Sequence, residues 1–307
     1  MNILVTGGLG HIGSSLIRIP PKFDELGAPL FNITTIDNLL TQRYCSLFNL
    51  ETPVKFIDKC INEINPKDLR AIDVVIHLAA TTNAEGSFDN KKQTEEINSR
   101  LTSKFIDKCE EAGCKFIFPS STSVYGVAAD IVHEDDDSFL NPQSPYAESK
   151  ISIENKLKSY KNDYLILRFG TIFGASPGMR FHTAINKFCY EASLSKPLTI
   201  WRENYNHYRP YLGLKDAVNA IFFLIQKDIW NNTYNVLTGN YKLSEIVSDI
   251  KEIIDIEINM TDTPLLNQFS YKVSDAKIKS LGFEPRGNLH NSIRETLSLL
   301  RNLNGQS

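Results

Sequence analysis

Short apolar runs alternate with helical patterns through the first half of the chain. Six runs have the near-continuous hydrophobicity of strands buried on both faces: Asn2–Thr6, Asn32–Ile36, Val54–Ile57, Asp73–Leu78, Lys115–Pro119 and Tyr164–Arg168. Between two of these runs, Ile97, Leu101, Phe105 and Cys109 share one helical face. Ser144–Pro145 carries the N-cap and first-turn residues of another helix. This alternation predicts an α/β fold built on a doubly wound parallel sheet.

The pattern changes after Arg168. The stretch from Gly170 to about Pro210 is predicted to be loop-rich, because prolines and glycines interrupt it. The later pattern predicts a helix at Asp216–Lys227, a strand at Thr233–Val236, and helices at Leu243–Ile254 and Leu289–Leu303. We therefore expect residues 1–169 to form the sheet domain, with 210–237 returning to it. Residues 170–209 and 238–307 are expected to form a smaller C-terminal lobe.

Length, charge and cysteine content narrow the class of protein. The 307 residues fit two ordinary domains or one large α/β domain with an added lobe. The net charge of −3 gives no basic surplus for nucleic acid, and neither a secretion signal nor an apolar membrane span is visible. Five scattered cysteines without a CxxC pair predict reduced thiols and no zinc site. We expect a cytoplasmic protein that binds no metal, nucleic acid or membrane.

A glycine-rich turn follows the first predicted strand. Residues 6–13 have the sequence Thr-Gly-Gly-Leu-Gly-His-Ile-Gly, the pattern of a Rossmann-type turn that lets a pyrophosphate approach the backbone. Asp37 ends the second strand 24 residues after Gly13, near the spacing of a carboxylate that binds the adenosine ribose. Because a carboxylate repels a 2′-phosphate and Asn38 adds no positive charge, NAD is favoured over NADP. The alternative is that Asp37 only caps the following loop.

Two further segments carry groups for proton transfer. Tyr146 and Lys150 are four residues apart, hence on one helical face. A free phenol has a pKa of about 10, and a nearby ammonium group together with a positive nicotinamide ring favours its phenolate. Ser121, which follows the strand at Lys115–Pro119, offers a hydroxyl to a substrate oxygen that passes between alcohol and ketone. The alternative to a role in proton transfer is a structural one, in which Tyr146 is a buried tyrosine and Lys150 a solvated lysine beside it.

These motifs occur together and in order over residues 1–175. They are the TGxxGxxG start, the strand ending His77-Leu78-Ala79-Ala80, the SSxSVYG segment and the YxxxK pair. Together they resemble the extended short-chain dehydrogenase/reductase family, in its NAD-dependent nucleotide-sugar epimerase/dehydratase group. The resemblance implies catalytic roles for Ser121, Tyr146 and Lys150. It implies contacts to NAD from Gly7, Gly10, His11, Ile12, Gly13, Asp37, Asn38, Leu78, Ala79, Ala80, Asn98, Tyr146 and Lys150.

The resemblance extends into the C-terminal half. The segment that begins at Arg209 is similar to the family's Arg-Asp-Tyr-x-His-Val-x-Asp, whose arginine grips the substrate diphosphate through its planar fork. Arg180, with Asn186 nearby, is expected to supply a second contact. The other substrate-binding residues implied are Thr82, Ser121, Thr122, Ser123, Thr171 and Tyr271. Thr171 replaces a common asparagine, and Pro264 stands where some epimerases have an arginine.

One local feature separates the chemistries of this group. Dehydratases carry Asp-Glu just before Val-Tyr-Gly and decarboxylases generally a glutamate, whereas this chain has Thr122-Ser123. The resemblance therefore implies hydride chemistry alone, namely C4 epimerisation of a nucleotide-diphosphate sugar through a 4-keto intermediate, as in polysaccharide biosynthesis. Net 4-dehydrogenation or reduction is the alternative, and a catalytically silent NAD-binding regulator is a third hypothesis.

The resemblance also implies a homodimer. In the family, the helix that carries the catalytic tyrosine and the helix corresponding to Ile97–Cys109 pair with their counterparts in a second copy. Ile97, Leu101, Ile153 and Leu157 are apolar enough for such an interface, but they are equally compatible with packing on the sheet.

Overall fold

The structure is a computed structural model and describes residues 1–19, 31–84, 86–126, 131–262 and 270–303. The strands are β1 (Asn2–Thr6), β2 (Asn32–Asp37), β3 (Lys55–Asp58), β4 (Val74–His77), β5 (Lys115–Ser121), β6 (Ile131–Val132), β7 (Tyr164–Phe169), β8 (Thr171–Phe173), β9 (Leu198–Trp201), β10 (Tyr208–Gly213), β11 (Asn232–Val236), β12 (Gly239–Lys242), β13 (Ile258–Thr261) and β14 (Lys272–Val273). The α-helices are α1 (His11–Leu16), α2 (Pro66–Leu69), α3 (Lys91–Thr94), α4 (Thr102–Ala112), α5 (Pro145–Leu157), α6 (Ala184–Ser193), α7 (Leu214–Gln226), α8 (Leu243–Ile253), α9 (Ala276–Ser280) and α10 (Leu289–Leu303). A π-helical segment, Glu95–Leu101, joins α3 to α4.

Seven parallel strands form the central sheet, in the order β11-β7-β5-β4-β1-β2-β3. Strand β1 pairs with β2 on one side and with β4 on the other. The chain therefore moves outward in one direction through β2 and β3, and in the other direction from β4 onward. Ligands of doubly wound sheets bind at the carboxyl ends of the strands, where this reversal opens a crevice. The predicted Rossmann-type α/β fold is confirmed, and its reversal point lies between β1 and β4.

Both faces of the sheet are covered, which explains why its strands carry continuous apolar runs. Successive residues of a strand point to opposite faces. In β1, Val5 packs in a core with Ile221 of α7, whereas Leu4 packs in a second core with Phe105 of α4 and Ile153 of α5. The two cores fix the sheet from both sides and hold its carboxyl edge in place.

Two of the four apolar residues considered for pairing with a second copy pack inside the chain. Ile153 and Leu157 are fully buried in the core beneath α4 and α5. Ile97 and Leu101 are only partly buried, and Leu101 packs against the edge of the same core. The sequence was compatible with these residues facing either the sheet or a second copy. Ile153 and Leu157 face the sheet.

The prediction of a loop-rich stretch from Gly170 to Pro210 was wrong over much of its length. Helix α6 and strands β8 and β9 lie within it. The buried face of α6 is formed by Ile185, Phe188, Cys189 and Ala192, whose spacing is that of an amphipathic helix. The helical signal was therefore present, but neighbouring glycines and prolines obscured it. By contrast, α1 is short and ends at Leu16.

The remaining strands form small sheets beside the central one. Strands β12, β10 and β8 make one sheet, β13 pairs with β9, and β14 pairs with β6. Strand β11 extends the central sheet beyond β7, and α7 packs against α1. The arrangement brings the segment after β8 and strand β10 close to the carboxyl edge of the central sheet. Within the described parts of the chain, no helix has the length and apolar character to cross a membrane.

Candidate active site

The glycine turn after β1 lies directly against the end of β4. Gly7 has a φ of +68°, and a Cβ there would stand 2.6 Å from the backbone nitrogen of Ala79. A Cβ on Gly13 would stand 2.5 Å from the Cα of Gly8. Only glycine fits at either position. At Gly7 both the positive φ and the nearby backbone of Ala79 exclude a side chain, and at Gly13 the nearby backbone of Gly8 does so. At the reversal point of the sheet, the turn thus presents its main chain without side chains. Ile12 on α1 packs against the core beneath the turn.

Asp37 is the last residue of β2 and faces this turn. Its Oδ2 accepts a hydrogen bond from the backbone nitrogen of Leu9 at 3.1 Å, and its Oδ1 accepts one from Leu39 at 3.0 Å. Asp37 therefore does cap the following loop, and it also secures the glycine turn. The adjacent Asn38 is exposed, and its side-chain oxygen accepts a hydrogen bond from the backbone nitrogen of Leu40, two residues further on. Asp37 remains partly exposed, so its carboxylate is still accessible to a ligand.

His11 begins α1 and joins the glycine turn to the segment after β8. Its Nε2 lies 2.8 Å from the carbonyl oxygen of Gly174. Burial lowers the pKa of His11 to about 4, so the ring is neutral at pH 7 and donates its Nε2 proton to that carbonyl. A Cβ on Gly178 would stand 2.4 Å from the carbonyl oxygen of Leu9. The segment after β8 is therefore packed directly onto the glycine turn.

Tyr146 and Lys150 lie on the first turns of α5. The helix begins where Ser144 caps it, accepting a hydrogen bond from the backbone of Ala147 at 3.2 Å. The Lys150 Nζ is 5.6 Å from the centre of the Tyr146 ring and donates to the carbonyl oxygen of Pro119 at 2.8 Å. Burial lowers the pKa of Lys150 to about 7. The sequence spacing is thus realised as a tyrosine and a buried lysine side by side.

Ser121 ends β5 and meets Tyr146 across the crevice. Its hydroxyl oxygen accepts hydrogen bonds from the Ser123 backbone nitrogen at 3.1 Å and from the Ser123 hydroxyl at 2.9 Å. These two bonds use the lone pairs of Ser121, so its own proton is left to donate. Burial raises the pKa of Tyr146, while the charge of Arg180 and a hydrogen bond with Ser121 oppose that rise.

The segment after β4 forms the wall between these groups. Leu78 and Ala79 continue the strand toward the crevice, and Leu78 donates its backbone N–H to the carbonyl of Thr6. The Asn98 amide donates to the carbonyl of Thr81 and accepts from its backbone nitrogen, at 2.8 and 2.9 Å. Asn98 therefore fixes the course of residues 78–82, which include Ala80 and Thr82, by bonding to their backbone.

The predicted substrate residues differ in how they face the crevice. Thr122 is buried and its hydroxyl bonds to the carbonyl of Phe169. Asn186 is fully buried; it accepts from the backbone of Gly174 and donates to the carbonyl of Arg180. Both side chains hold neighbouring backbone in place. Thr171, in β8, is only partly buried.

Arg180 and Arg209 each have a shielded nitrogen without a partner in the described residues. These atoms are Nε of Arg180 and one terminal nitrogen of Arg209. The guanidinium of Arg209 lies over the ring of Tyr271, 5.3 Å from its centre. Burial lowers the pKa of Arg180 to about 10, and the charge of Arg180 acts against the rise in the pKa of Tyr146.

A buried polar network lies behind α5, and the sequence pattern did not predict it. Glu154, one turn after Lys150, makes a bidentate ion pair with Arg168 of β7, at 3.1 and 2.6 Å. Arg168 also donates to the Tyr125 hydroxyl, which donates to the side chain of Asn235 at 2.6 Å. The signal was a charged residue inside an apolar strand, because a buried arginine requires a partner.

A parallel sheet with a glycine turn at its reversal point and a Ser–Tyr–Lys set beside it defines the extended short-chain dehydrogenase/reductase class. A model of the NAD dependent epimerase/dehydratase family matches residues 3–236. The chain belongs to this family.

Three known proteins illustrate the similarity. The chain is 32% identical to a dTDP-D-glucose 4,6-dehydratase of Dictyostelium discoideum, over 83% of this chain and 62% of that protein. It is 26% identical to a putative UDP-glucose 4-epimerase of Methanocaldococcus jannaschii, over 98% and 99% of the two chains. The structure of UDP-glucuronic acid 4-epimerase from Bacillus cereus, in complex with UDP-glucuronic acid and NAD, matches with a TM-score of 0.87 at 25% identity, over 99% and 100% of the chains. The chain spans about half the length of several other curated relatives that it matches.

Proposed function

We propose that the protein is an NAD-dependent nucleotide-sugar 4-epimerase that acts through a 4-keto intermediate. The observation that carries this proposal is the meeting of Ser121, Tyr146 and Lys150 at the carboxyl edge of the sheet, beside Thr122-Ser123 where dehydratases carry two carboxylates. The family match and the 4-epimerases among the similar proteins support it.

The residues around the glycine turn fit NAD. Gly7 and Gly13 leave no side chain between backbone and crevice, and the first turn of α1 has N–H groups without partners inside the helix. Asp37 offers a carboxylate at the end of β2, suited to a ribose diol and repellent to a 2′-phosphate. Bound NAD would supply a hydride acceptor for the sugar carbon and return the same hydride later.

Tyr146 is the group that takes the proton from the C4 hydroxyl while the carbon loses hydride. Burial raises the pKa of Tyr146, whereas the charge of Arg180 and the hydrogen bond with Ser121 favour the phenolate form that this step requires. The Lys150 Nζ lies 5.6 Å from the centre of the Tyr146 ring. Ser121 donates its remaining proton to the C4 oxygen, which is a ketone between the two half-reactions. The sugar ring then presents its opposite face. Tyr146 gives the proton back to the C4 oxygen as hydride returns to C4, and the configuration at C4 is inverted.

The substrate is a nucleotide-diphosphate sugar in this proposal. Arg209 binds the diphosphate, with Tyr271 stacked behind it. Thr82, Ser123 and Thr171 contact the sugar side, while Thr122 and Asn186 act by holding backbone. Residues 1–169 with 210–237 form the cofactor domain, and 170–209 with 238–307 form the substrate lobe.

We also propose a cytoplasmic homodimer formed through α5, α4 and the π-helical segment Glu95–Leu101 that precedes α4. Since Ile153 and Leu157 are used inside the chain, the interface consists of Ile97, Leu101 and polar groups such as the ion pair between Lys156 and Asp107. Sedimentation at micromolar concentration should give a dimer, and a monomer alone would refute the pairing.

A sugar nucleotide that carries deuterium at C4 tests the reaction. The protein with NAD should return the deuterium to C4 of the inverted sugar, without net NADH and without hydrogen from solvent. Accumulation of NADH or released ketone, with no inverted sugar, would replace the epimerase by a net 4-dehydrogenase. Absence of any reaction, with intact NAD binding, would support the silent regulator instead.

A further inference from the structure

Two side chains of α5 bond to consecutive residues at the end of β5. The Nζ of Lys150 donates to the carbonyl oxygen of Pro119 at 2.8 Å. One turn further along the helix, a carboxylate oxygen of Glu154 accepts a hydrogen bond from the hydroxyl of Ser120 at 2.5 Å. Because Ser121 is the next residue of the chain, these two bonds join α5 to the strand directly before the proposed catalytic hydroxyl.

The sheet supports the end of β5 on one side only. The register between β5 and β4 ends at Ile117, whereas the register between β5 and β7 continues to Ser121. Among the described residues, no strand pairs with residues 118–121 on the side of β4. The position of the Ser121 hydroxyl therefore depends on contacts from outside the sheet, and the bonds from α5 are such contacts.

Arg168 holds the Glu154 carboxylate in place. It lies in β7 as the register partner of Ser120, and its guanidinium bonds to both oxygens of Glu154. Each member of this ion pair is 1% exposed. Replacing such a buried pair by apolar residues of similar volume often costs no stability. A contribution to stability therefore does not by itself explain why the pair is present.

We propose that Glu154 is a positioning residue, which through its bond to Ser120 fixes the end of β5 and so keeps the Ser121 hydroxyl aligned with the substrate oxygen. The same bond holds the neighbouring carbonyl of Pro119, to which Lys150 donates. Burial lowers the pKa of Lys150 to about 7, and the charge of Glu154 opposes that fall. Glu154 and Ser120 are both buried, so they act through their neighbours and not on the substrate itself.

The proposal rests on the proposed function, and Ser120→Ala tests it because this change leaves the ion pair of Glu154 and Arg168 in place. Turnover is measured with whichever of UDP-glucose, UDP-N-acetylglucosamine and UDP-glucuronic acid the unmodified protein inverts fastest. We expect kcat to fall at least about 10-fold, because a displacement on the order of 1 Å in a reacting group can cost about 100-fold. The KM for the sugar should stay within about 3-fold, since Arg209, which is assigned to the diphosphate, is unchanged.

Tyr125→Phe is the matched control. Among the described residues, the Tyr125 hydroxyl accepts from Arg168 and donates to Asn235, and it bonds to neither β5 nor α5. Both variants delete one buried hydroxyl of the same network and should lower the midpoint of thermal unfolding by similar amounts. Tyr125→Phe should nevertheless keep kcat within about 3-fold. An equal loss of kcat in the two variants, or a kcat within about 3-fold in Ser120→Ala, would overturn the proposal.

The positioning role and the epimerase proposal can fail separately. NAD is titrated calorimetrically into the cofactor-free form of all three proteins, because Lys150 is also expected to contact NAD. If the unmodified protein inverts none of the three sugars, the epimerase proposal fails and NAD affinity decides the positioning role. About 10-fold weaker binding by Ser120→Ala alone would then support that role, and equal affinity in the three proteins would overturn it. If a sugar is inverted and Ser120→Ala keeps its kcat, the epimerase proposal stands and the positioning role fails.

Discussion

Glu154 and Arg168 form an ion pair in which each side chain is only 1% exposed. Removing one member of such a pair leaves the other as an uncompensated buried charge. Glu154→Gln should therefore lower the free energy of unfolding by about 3 to 5 kcal/mol, measured by urea denaturation. The exposed pair of Lys215 and Glu295 is the control, and Glu295→Gln should change stability by less than about 1 kcal/mol. A loss of similar size in both variants would contradict the reasoning.

Tyr146 is expected to carry the proton in the reaction. Tyr146→Phe removes the hydroxyl and keeps the ring, so turnover should fall by at least ~100-fold, the scale of a lost general acid or base. Steady-state kinetics with the preferred sugar nucleotide measures this. Tyr190→Phe changes a tyrosine that is 39% exposed on α6 and should leave turnover unaltered. Retention of more than a tenth of the activity in Tyr146→Phe would exclude Tyr146 as the proton carrier.

Asp37 is expected to select NAD and to hold the glycine turn. Asp37→Ala should weaken NAD binding by about 10- to 100-fold, since charge-assisted hydrogen bonds to the ribose are lost together with the bond to Leu9. Asp37→Asn keeps one acceptor oxygen and should lose less. Fluorescence titration with NAD and NADP gives both affinities. Binding of NADP as tight as NAD by the unmodified protein is the result that rules out this selection.

The buried histidine of the glycine turn predicts sensitivity to acid. The folded pKa of His11 is about 4, below its usual value, so between about pH 6.5 and 4 the unfolded chain binds a proton that the folded chain does not. This contribution to stability is complete above pH 6.5 and is lost as the pH falls to 4, by on the order of 3 kcal/mol. His11→Gln can still donate to Gly174 and should remove this one contribution to the unfolding profile. The contributions of His77 and His182, whose pKa values burial lowers to about 3 and about 4, should remain. His133→Gln, at an exposed position, should not.

The fold was predictable from sequence to the extent that its signals are local. The inner strands β1, β4, β5 and β7 of the central sheet contain near-continuous apolar runs. The Ser144 cap marks the start of α5 without reference to the rest of the chain. The glycine turn and the spacing of Tyr146 and Lys150 are equally local. These features can be recognised from the sequence without knowledge of tertiary contacts.

What the sequence could not provide depends on contacts between distant segments. Whether Ile153 faces the sheet or a second copy is decided by the packing of α4 and α5. Asn186 was expected near a ligand, but its amide is taken up by the backbone of Gly174 and Arg180. The pairing of Glu154 with Arg168 joins a helix to a strand and leaves no spacing pattern. Pro264, named as a departure from the family, lies outside the described residues.

The contact of Gly178 with the glycine turn has a consequence for how the two ligands communicate. The backbone that presents Arg180 and the backbone that faces the pyrophosphate touch without an intervening side chain, and His11 joins them again at Gly174. A displacement of one is therefore transmitted to the other. Thermodynamic reciprocity then requires that, if NAD tightens sugar binding by some factor, the sugar tightens NAD binding by the same factor. The cofactor would then be held more firmly while a sugar nucleotide occupies the site than while the site is empty.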